Sequence, residues 1–238
     1  MRALAALFLA ASAASAQGLD RDTLLTDAPA VPPKGTVRLT GSGVATEKSD
    51  SASSSFTGTV AWTPIENLGA DVGAYFQSGA QGPAARVRYQ FLNQLSHGVD
   101  MAGGVRFKTV GFHPDEGEVE FLLAVGRRFG QFELILDGVF GIETGGENGK
   151  DVEGKAWAGW RFNEAVRAGI DFRLQAEVED EEQPVVPSTG RDYDLTVGPA
   201  ISWMVTRTIQ LQALVGMAQP KKTEVTSPVG VVSASIDF

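Results

Sequence analysis

The chain has 238 residues, no cysteine and two histidines, and its 29 acidic residues outnumber its 20 lysines and arginines, giving a net charge of −9. The absence of cysteine excludes a disulfide framework, a thiolate metal site, a cysteine nucleophile and a cysteine-linked lipid anchor. The acidic balance argues against nucleic acid as a partner. Residues 17–238 contain no uncharged apolar run of helix-spanning length, which leaves a soluble periplasmic protein or a β-barrel.

The first sixteen residues predict an export signal. Arg2 is followed by an apolar stretch over residues 3–11, and Ala14-Ser15-Ala16 has the small-x-small pattern that precedes signal-peptidase cleavage. The alternative, a membrane-spanning helix, fails because the stretch is too short and is interrupted by serines. We therefore expect a cleavable signal peptide over residues 1–16 and a mature chain that begins at Gln17.

Residues 17–35 are polar and contain the pair Pro32-Pro33, whose nitrogens cannot donate hydrogen bonds to a sheet. We expect a periplasmic N-terminal lead-in here, with a plug or a cell-wall contact as the open alternative. No linker-like change of composition divides residues 36–238, which predicts one domain.

From Thr36 onward apolar and polar residues alternate, as they do in strands with two different faces. Between Val166 and Val178, for example, every second residue is apolar, whereas Arg167, Asp171 and Arg173 are on the opposite face. The pattern predicts about twelve strands, over residues 36–46, 56–63, 69–77, 84–92, 100–109, 119–129, 132–143, 152–162, 166–178, 192–205, 209–217 and 229–238.

Connection lengths and aromatic positions favour a barrel over a soluble β-sandwich, which also has one apolar and one polar face per strand. If the N-terminus lies in the periplasm, the long polar connections all fall outside and the tight turns all fall inside. Aromatic residues cluster near both strand ends, as in interfacial belts. The sequence thus predicts an all-β, transmembrane, antiparallel up-and-down barrel. The long connections are residues 47–55, 110–118, 144–151, 179–191 and 218–228.

The last ten residues, Val229 to Phe238, resemble the C-terminal assembly signal of Gram-negative outer-membrane β-barrel proteins. Phe238 is the terminal aromatic, and Ile236, Ala234 and Val232 place apolar residues at every second position before it. The signal departs from the pattern in lacking a second aromatic. This porin-like resemblance implies an outer-membrane location, contact with outer-membrane lipid and lipopolysaccharide, and recognition by the barrel assembly machinery.

No motif predicts a catalytic residue, a cofactor or a metal site. Ser96-His97 and Asp100 invite comparison with outer-membrane lipid hydrolases, but neighbouring side chains in a turn diverge, and a solvated turn is the simpler reading. His97 and His113 are expected at opposite ends of the barrel, too far apart to share a metal. The acidic runs 115–118 and 179–182 could bind calcium or bridge lipopolysaccharide, but their spacing favours a solvated rim.

The polar face carries the functional prediction, because charges inside a small barrel must be paired or hydrated. Two basic strands precede two acidic ones, so a basic wall facing an acidic wall would favour small polar or zwitterionic solutes. The alternative is that neighbouring charges pair and fill a closed structural or surface-interaction barrel, and a lipid hydrolase is a more distant one. The lumen and filter candidates are Arg86, Arg88, Arg106, Lys108, Glu120, Glu133, Asp137, Arg167, Asp171 and Arg173.

Overall fold

The computed structural model describes residues 19–48, 51–77, 80–110, 113–144, 149–179, 193–219 and 225–238. The expected signal peptide therefore lies outside the described residues. Twelve antiparallel strands account for most of this part of the chain. They are β1 Val37–Lys48, β2 Ser51–Ile65, β3 Leu68–Gln77, β4 Ala80–Leu92, β5 Asp100–Val110, β6 His113–Phe129, β7 Phe132–Glu143, β8 Lys150–Arg161, β9 Val166–Glu179, β10 Tyr193–Met204, β11 Ile209–Gln219 and β12 Ser227–Asp237.

Each strand pairs with its neighbours in sequence, and β1 closes the sheet on β12 to form a barrel. The closing register pairs Leu39 with Ile236 and Val44 with Val231. Closure leaves no unpaired sheet edge, which is the condition for a sheet to cross a bilayer. The predicted fold class and strand number are confirmed.

Tight turns join the strands at the end of the barrel where β1 begins, which we call the turn end. Asn67 and Gly130 have positive φ angles of 65° and 64°, a conformation that asparagine and glycine adopt at low cost. The connection between β4 and β5 contains the one-turn helix α1, Gln94–His97, which the Asn93 side chain caps. No helix in the described ranges is long and apolar enough to cross a membrane.

Two of the predicted long outer connections are wrong. β1 runs to Lys48 and β2 starts at Ser51, so most of residues 47–55 is strand, and β6 starts at His113 inside the predicted connection 110–118. These strand ends consist mainly of serine and acidic residues and therefore lack the apolar-polar alternation. Strand pairing continues beyond the apolar band into water, where polar side chains are favourable on both faces of a strand. Of the predicted long connection over residues 179–191, Glu179 ends β9, and residues 180–191 lie outside the described residues.

The outer face of the barrel is apolar. Side chains between the two strand ends are well exposed, among them Val60 at 45%, Leu136 at 53% and Ile170 at 49%. Aromatic residues flank this band on the same face. At the turn end they are Trp62, Phe91, Phe129, Phe132, Trp160, Phe162, Trp203 and Phe238, and towards the other end Phe56, Phe76, Phe107 and Phe140. Such a continuous apolar surface needs a lipid environment.

Adjacent residues of β2 provide a test of which face meets lipid. We expect Val60→Arg to lower the stability of the inserted barrel by about 2 to 4 kcal/mol, because arginine at mid-bilayer depth on the lipid face is costly. Thr59→Arg is the matched control, since Thr59 faces the lumen and lines a cavity there. Folding yields in lipid vesicles, read from heat-modifiable gel migration, compare the two. Equal yields would contradict the assignment of faces.

Candidate functional site

Residues 19–33, which we call the lumen segment, lie inside the barrel. Wall side chains hold the backbone of this segment: Gln212 donates to the Asp22 carbonyl at 3.0 Å, and Gln90 accepts from the Val31 amide at 2.9 Å. Arg38 donates to the carbonyl of Asp20 at 2.9 Å. The three wall residues belong to β11, β1 and β4, so these contacts come from one half of the circumference.

Residues 19–33 thus lie in the lumen, whereas the sequence led us to expect a periplasmic lead-in over residues 17–35; the role of a plug stays a prediction. The physical reason is that the prolines stop the segment from joining the sheet, while polar wall side chains supply the hydrogen bonds that its backbone needs. Gly126 of β6 makes room for it: a Cβ atom at this position would stand 2.5 Å from the Cγ of Pro29.

An apolar patch on the inner wall packs against the lumen segment. Ile135, Trp157 and Leu214 are 0–1% exposed and form a buried cluster with Leu19 of the segment. These wall residues occupy positions of the polar face, so the alternation alone would have made them polar. Their burial stabilises the segment in the lumen through the hydrophobic effect. Other members of the cluster and its rim are Ala200, Val229, Val231, Leu24, Leu25, Ala30, Val44 and Ala218.

Asp171 of β9 anchors the middle of the segment. Its fully buried carboxylate accepts a hydrogen bond from the Thr26 hydroxyl at 2.7 Å and another from the Leu25 amide at 3.0 Å. A buried carboxylate without such donors would cost several kcal/mol. The predicted lumen residue Asp171 therefore binds the segment.

Two aspartates of the segment bind cations of the wall. Asp22 contacts both Arg86 and Arg88, each at 2.9 Å, and Asp27 contacts Arg86 and the Lys155 ammonium, the latter at 2.9 Å. Burial by itself would raise the pKa of Asp27, but attraction to Lys155 and Arg86 holds that pKa well below its usual range. The segment thus neutralises much of the predicted basic wall.

The remaining predicted lumen charges pair between adjacent or next-but-one strands. Arg106 and Lys108 of β5 both bind Glu120 of β6. Glu133 of β7 binds Arg161 of β8 at 3.0 Å and Arg167 of β9 at 3.2 Å.

Two further predicted residues pair in the same way: Arg173 binds Glu153, and Asp137 lies 3.4 Å from Lys155. All ten predicted residues face the interior, where they bind side chains of nearby strands or the lumen segment and not an opposite wall. Their action as a filter stays a prediction.

Two cavities of comparable size meet at the lumen segment. The middle cavity, about 620 Å³, is lined by hydroxyl side chains of β1, β2 and β12 together with Arg86 and Lys108. The turn-end cavity, about 560 Å³, is lined by the turns after β8 and β10 and by Phe238. Arg21 and Gln210 line both cavities. The Arg21 side chain, which binds Asp237 and donates to the Ser235 hydroxyl at 3.3 Å, therefore lies at the boundary between them.

The residues of the hydrolase comparison have structural roles. The Asp100 carboxylate accepts from the Gln94 amide at 2.9 Å and the Gln90 side chain at 3.1 Å, which fixes the turn around α1, and His97 lies exposed in that helix. The side chain of His113 lies outside the described part. In that part, no cluster of histidine, aspartate and glutamate fits a metal ion.

Several solved outer-membrane channels have a similar barrel. The KdgM porin aligns at TM-score 0.60 and 10% identity, covering 84% of this chain and 99% of that one. The NanC porin aligns at 0.63 and 8%, covering 83% and 98%, and an outer-membrane channel from Pseudomonas putida F1 at 0.59 and 14%, covering 88% and 97%. No family model matches the sequence, and neither does any curated protein. With its apolar outer face, the chain has the fold of a porin-like outer-membrane β-barrel.

Proposed function

We propose that this protein is a narrow, non-enzymatic outer-membrane channel for small polar solutes, with the lumen segment setting its width. The observation that carries the proposal is the pair of cavities, about 620 and 560 Å³, that share Arg21 and Gln210 as lining residues. A water-filled path lined by hydroxyl and amide groups passes small polar solutes and excludes larger ones. The channel structures with the same fold support the proposal.

A closed structural barrel is the second candidate, and the paired charges favour it. The segment and the ion pairs around Glu133 and Glu120 occupy much of the interior. Salt-bridged side chains of this kind fill small barrels without leaving a path for ions. The width of the lumen at Arg21 decides between an open channel and a closed barrel.

Arg21→Ala tests the channel. Removing this side chain joins the two cavities, and Asp237 keeps an ion pair with Arg38 at 2.7 Å, so the change leaves that carboxylate paired. We expect discrete openings of the unaltered protein in planar bilayers and a conductance roughly twofold higher in the variant, because a narrow point dominates the resistance of a pore.

Arg207→Ala is the matched control, because Arg207 is exposed and lines only the turn-end cavity. Its conductance should equal that of the unaltered protein. Bilayers that stay silent for the folded protein and for Arg21→Ala would instead favour the closed barrel. Release of fatty acid from lipid would contradict the non-enzymatic part of the proposal.

The proposal also includes two partners. The outer face contacts outer-membrane lipid and lipopolysaccharide, and the barrel assembly machinery recognises Ile236 and Phe238.

A further inference from the structure

Two carboxylates of the lumen segment bind the wall in the manner of a ligand. Asp22 bridges two arginines, with Oδ2 at 2.9 Å from Nη2 of Arg86 and Oδ1 at 2.9 Å from Nη1 of Arg88. Asp27 bridges Nη1 of Arg86 and Nζ of Lys155. The two terminal nitrogens of one guanidinium group thus hold two carboxylates side by side, an arrangement that the planar fork of arginine suits.

The wall leaves these cations only partly satisfied. The Nε of Arg86 donates a hydrogen bond to the wall residue Asp71 at 2.7 Å. Both terminal nitrogens of Arg86 are therefore left for partners outside the wall. Within the described ranges, Asp22 is the one carboxylate that pairs with Arg88. Lys155 is shared, because Asp137 and Glu153 lie 3.4 and 3.7 Å from it. The two arginines are therefore the part of the cluster that depends on the lumen segment.

The aspartates of the cluster are the part that a solute meets first. Asp22, Asp27 and Arg86 line the middle cavity, and the Asp22 side chain keeps 38% of its surface exposed. The side chains of Arg86, Arg88 and Lys155 are only 6–11% exposed, so a solute reaches their nitrogens as the aspartates leave them. Exchange of one carboxylate for another conserves the number of charge-assisted hydrogen bonds, and the released aspartate gains hydration in the cavity.

We propose that Arg86, Arg88 and Lys155 form a binding site for small solutes with two carboxylates, which Asp22 and Asp27 of the lumen segment occupy until such a solute replaces them. The inference rests on the proposed function in one respect: the solute must enter the lumen. The segment is then both a constriction and a competitor for the solute.

The test is calorimetric titration of the folded protein in detergent with succinate at low ionic strength, where screening is weak. The double variant Asp22→Asn, Asp27→Asn lacks the competing carboxylates, and we expect it to bind succinate about tenfold more tightly than the unaltered protein, the equivalent of one ion pair. Asp20→Asn is the matched control: this third aspartate of the segment lies 3.5 Å from Arg38 and contacts none of the three site residues. Its affinity should be unchanged.

Adding Arg88→Gln to the double variant should abolish the gain, and acetate and succinamide should bind more weakly than succinate. Heat-modifiable migration confirms that each variant is folded. A double variant that binds succinate no more tightly than Asp20→Asn would overturn the inference, and so would equal binding of neutral succinamide. Succinate binding is measured without a bilayer, so it fails independently of conductance. If the protein conducts but the double variant binds succinate no more tightly, only the binding site is refuted. If the bilayer stays silent but the double variant binds succinate about tenfold more tightly, only the channel is refuted.

Discussion

Deletion of residues 19–33 should raise the single-channel conductance severalfold and shift the selectivity towards anions. The deletion removes the segment that divides the two cavities, so the path widens along its narrowest part. It also removes three aspartates and one arginine, a change of two positive units inside the lumen. Arg88 loses its carboxylate partner Asp22, and Arg86 keeps only Asp71. Uncompensated cations near the path attract anions.

Conductance and reversal potential in a salt gradient measure both effects, after gel migration has shown that the shortened barrel is folded. A synthetic peptide of residues 19–33, added to the deleted barrel, is the control and should restore low conductance. If the deletion leaves conductance and selectivity as they are in the full chain, the segment does not obstruct the lumen.

Glu133→Ala should lower the free energy of unfolding by about 3 to 5 kcal/mol, the usual effect of removing one partner from a buried ion pair. Glu133 is 0% exposed, and its carboxylate joins Arg161 of β8 to Arg167 of β9. The variant removes the carboxylate that these two cations of neighbouring strands share. The cost arises from the two lost ion pairs and from the lost volume.

Denaturant titration in lipid vesicles, followed by tryptophan fluorescence, gives the free energies. Glu164→Ala is the matched control, because Glu164 is exposed in the turn after β8 and its replacement should change stability by less than about 0.5 kcal/mol. Similar losses in both variants would mean that the Glu133 network contributes little to the barrel.

The sequence was sufficient to predict the barrel, because strand periodicity is a local property. In β9, Ile170 faces outward and Asp171 inward, as the alternation requires. The strand ends were harder to locate: Ser53 and Glu118 lie in strands that extend beyond the apolar band, where no contrast between faces marks the boundary.

The position of the lumen segment could not be predicted from periodicity, since residues 19–33 have none. Two signals pointed to it. Ile135 and Trp157 are large apolar residues on a face that otherwise bears charges, which indicates that something inside the barrel covers them. The positive charge of Arg86 and Arg88 is greater than the negative charge on the adjoining strands. Asp22 and Asp27 of the segment supply the missing negative charge. Both signals become readable only when the strand register fixes which residues share the lumen.

The most direct test of the segment's position is a disulfide between residues 29 and 126. The chain has no cysteine of its own, so Pro29→Cys and Gly126→Cys give a clean background. A Cβ atom at position 126 would lie 2.5 Å from the Cγ of Pro29, close enough for a disulfide after a small adjustment.

We expect oxidation to cross-link residues 29 and 126 nearly completely in the folded, membrane-inserted protein, as shown by gel migration before and after reduction. The matched control pairs residue 29 with Arg127→Cys, which points outward on the same strand and should give no cross-link. Absence of the 29–126 disulfide in the folded barrel, or equal cross-linking of the control pair, would contradict a segment that lies inside the lumen.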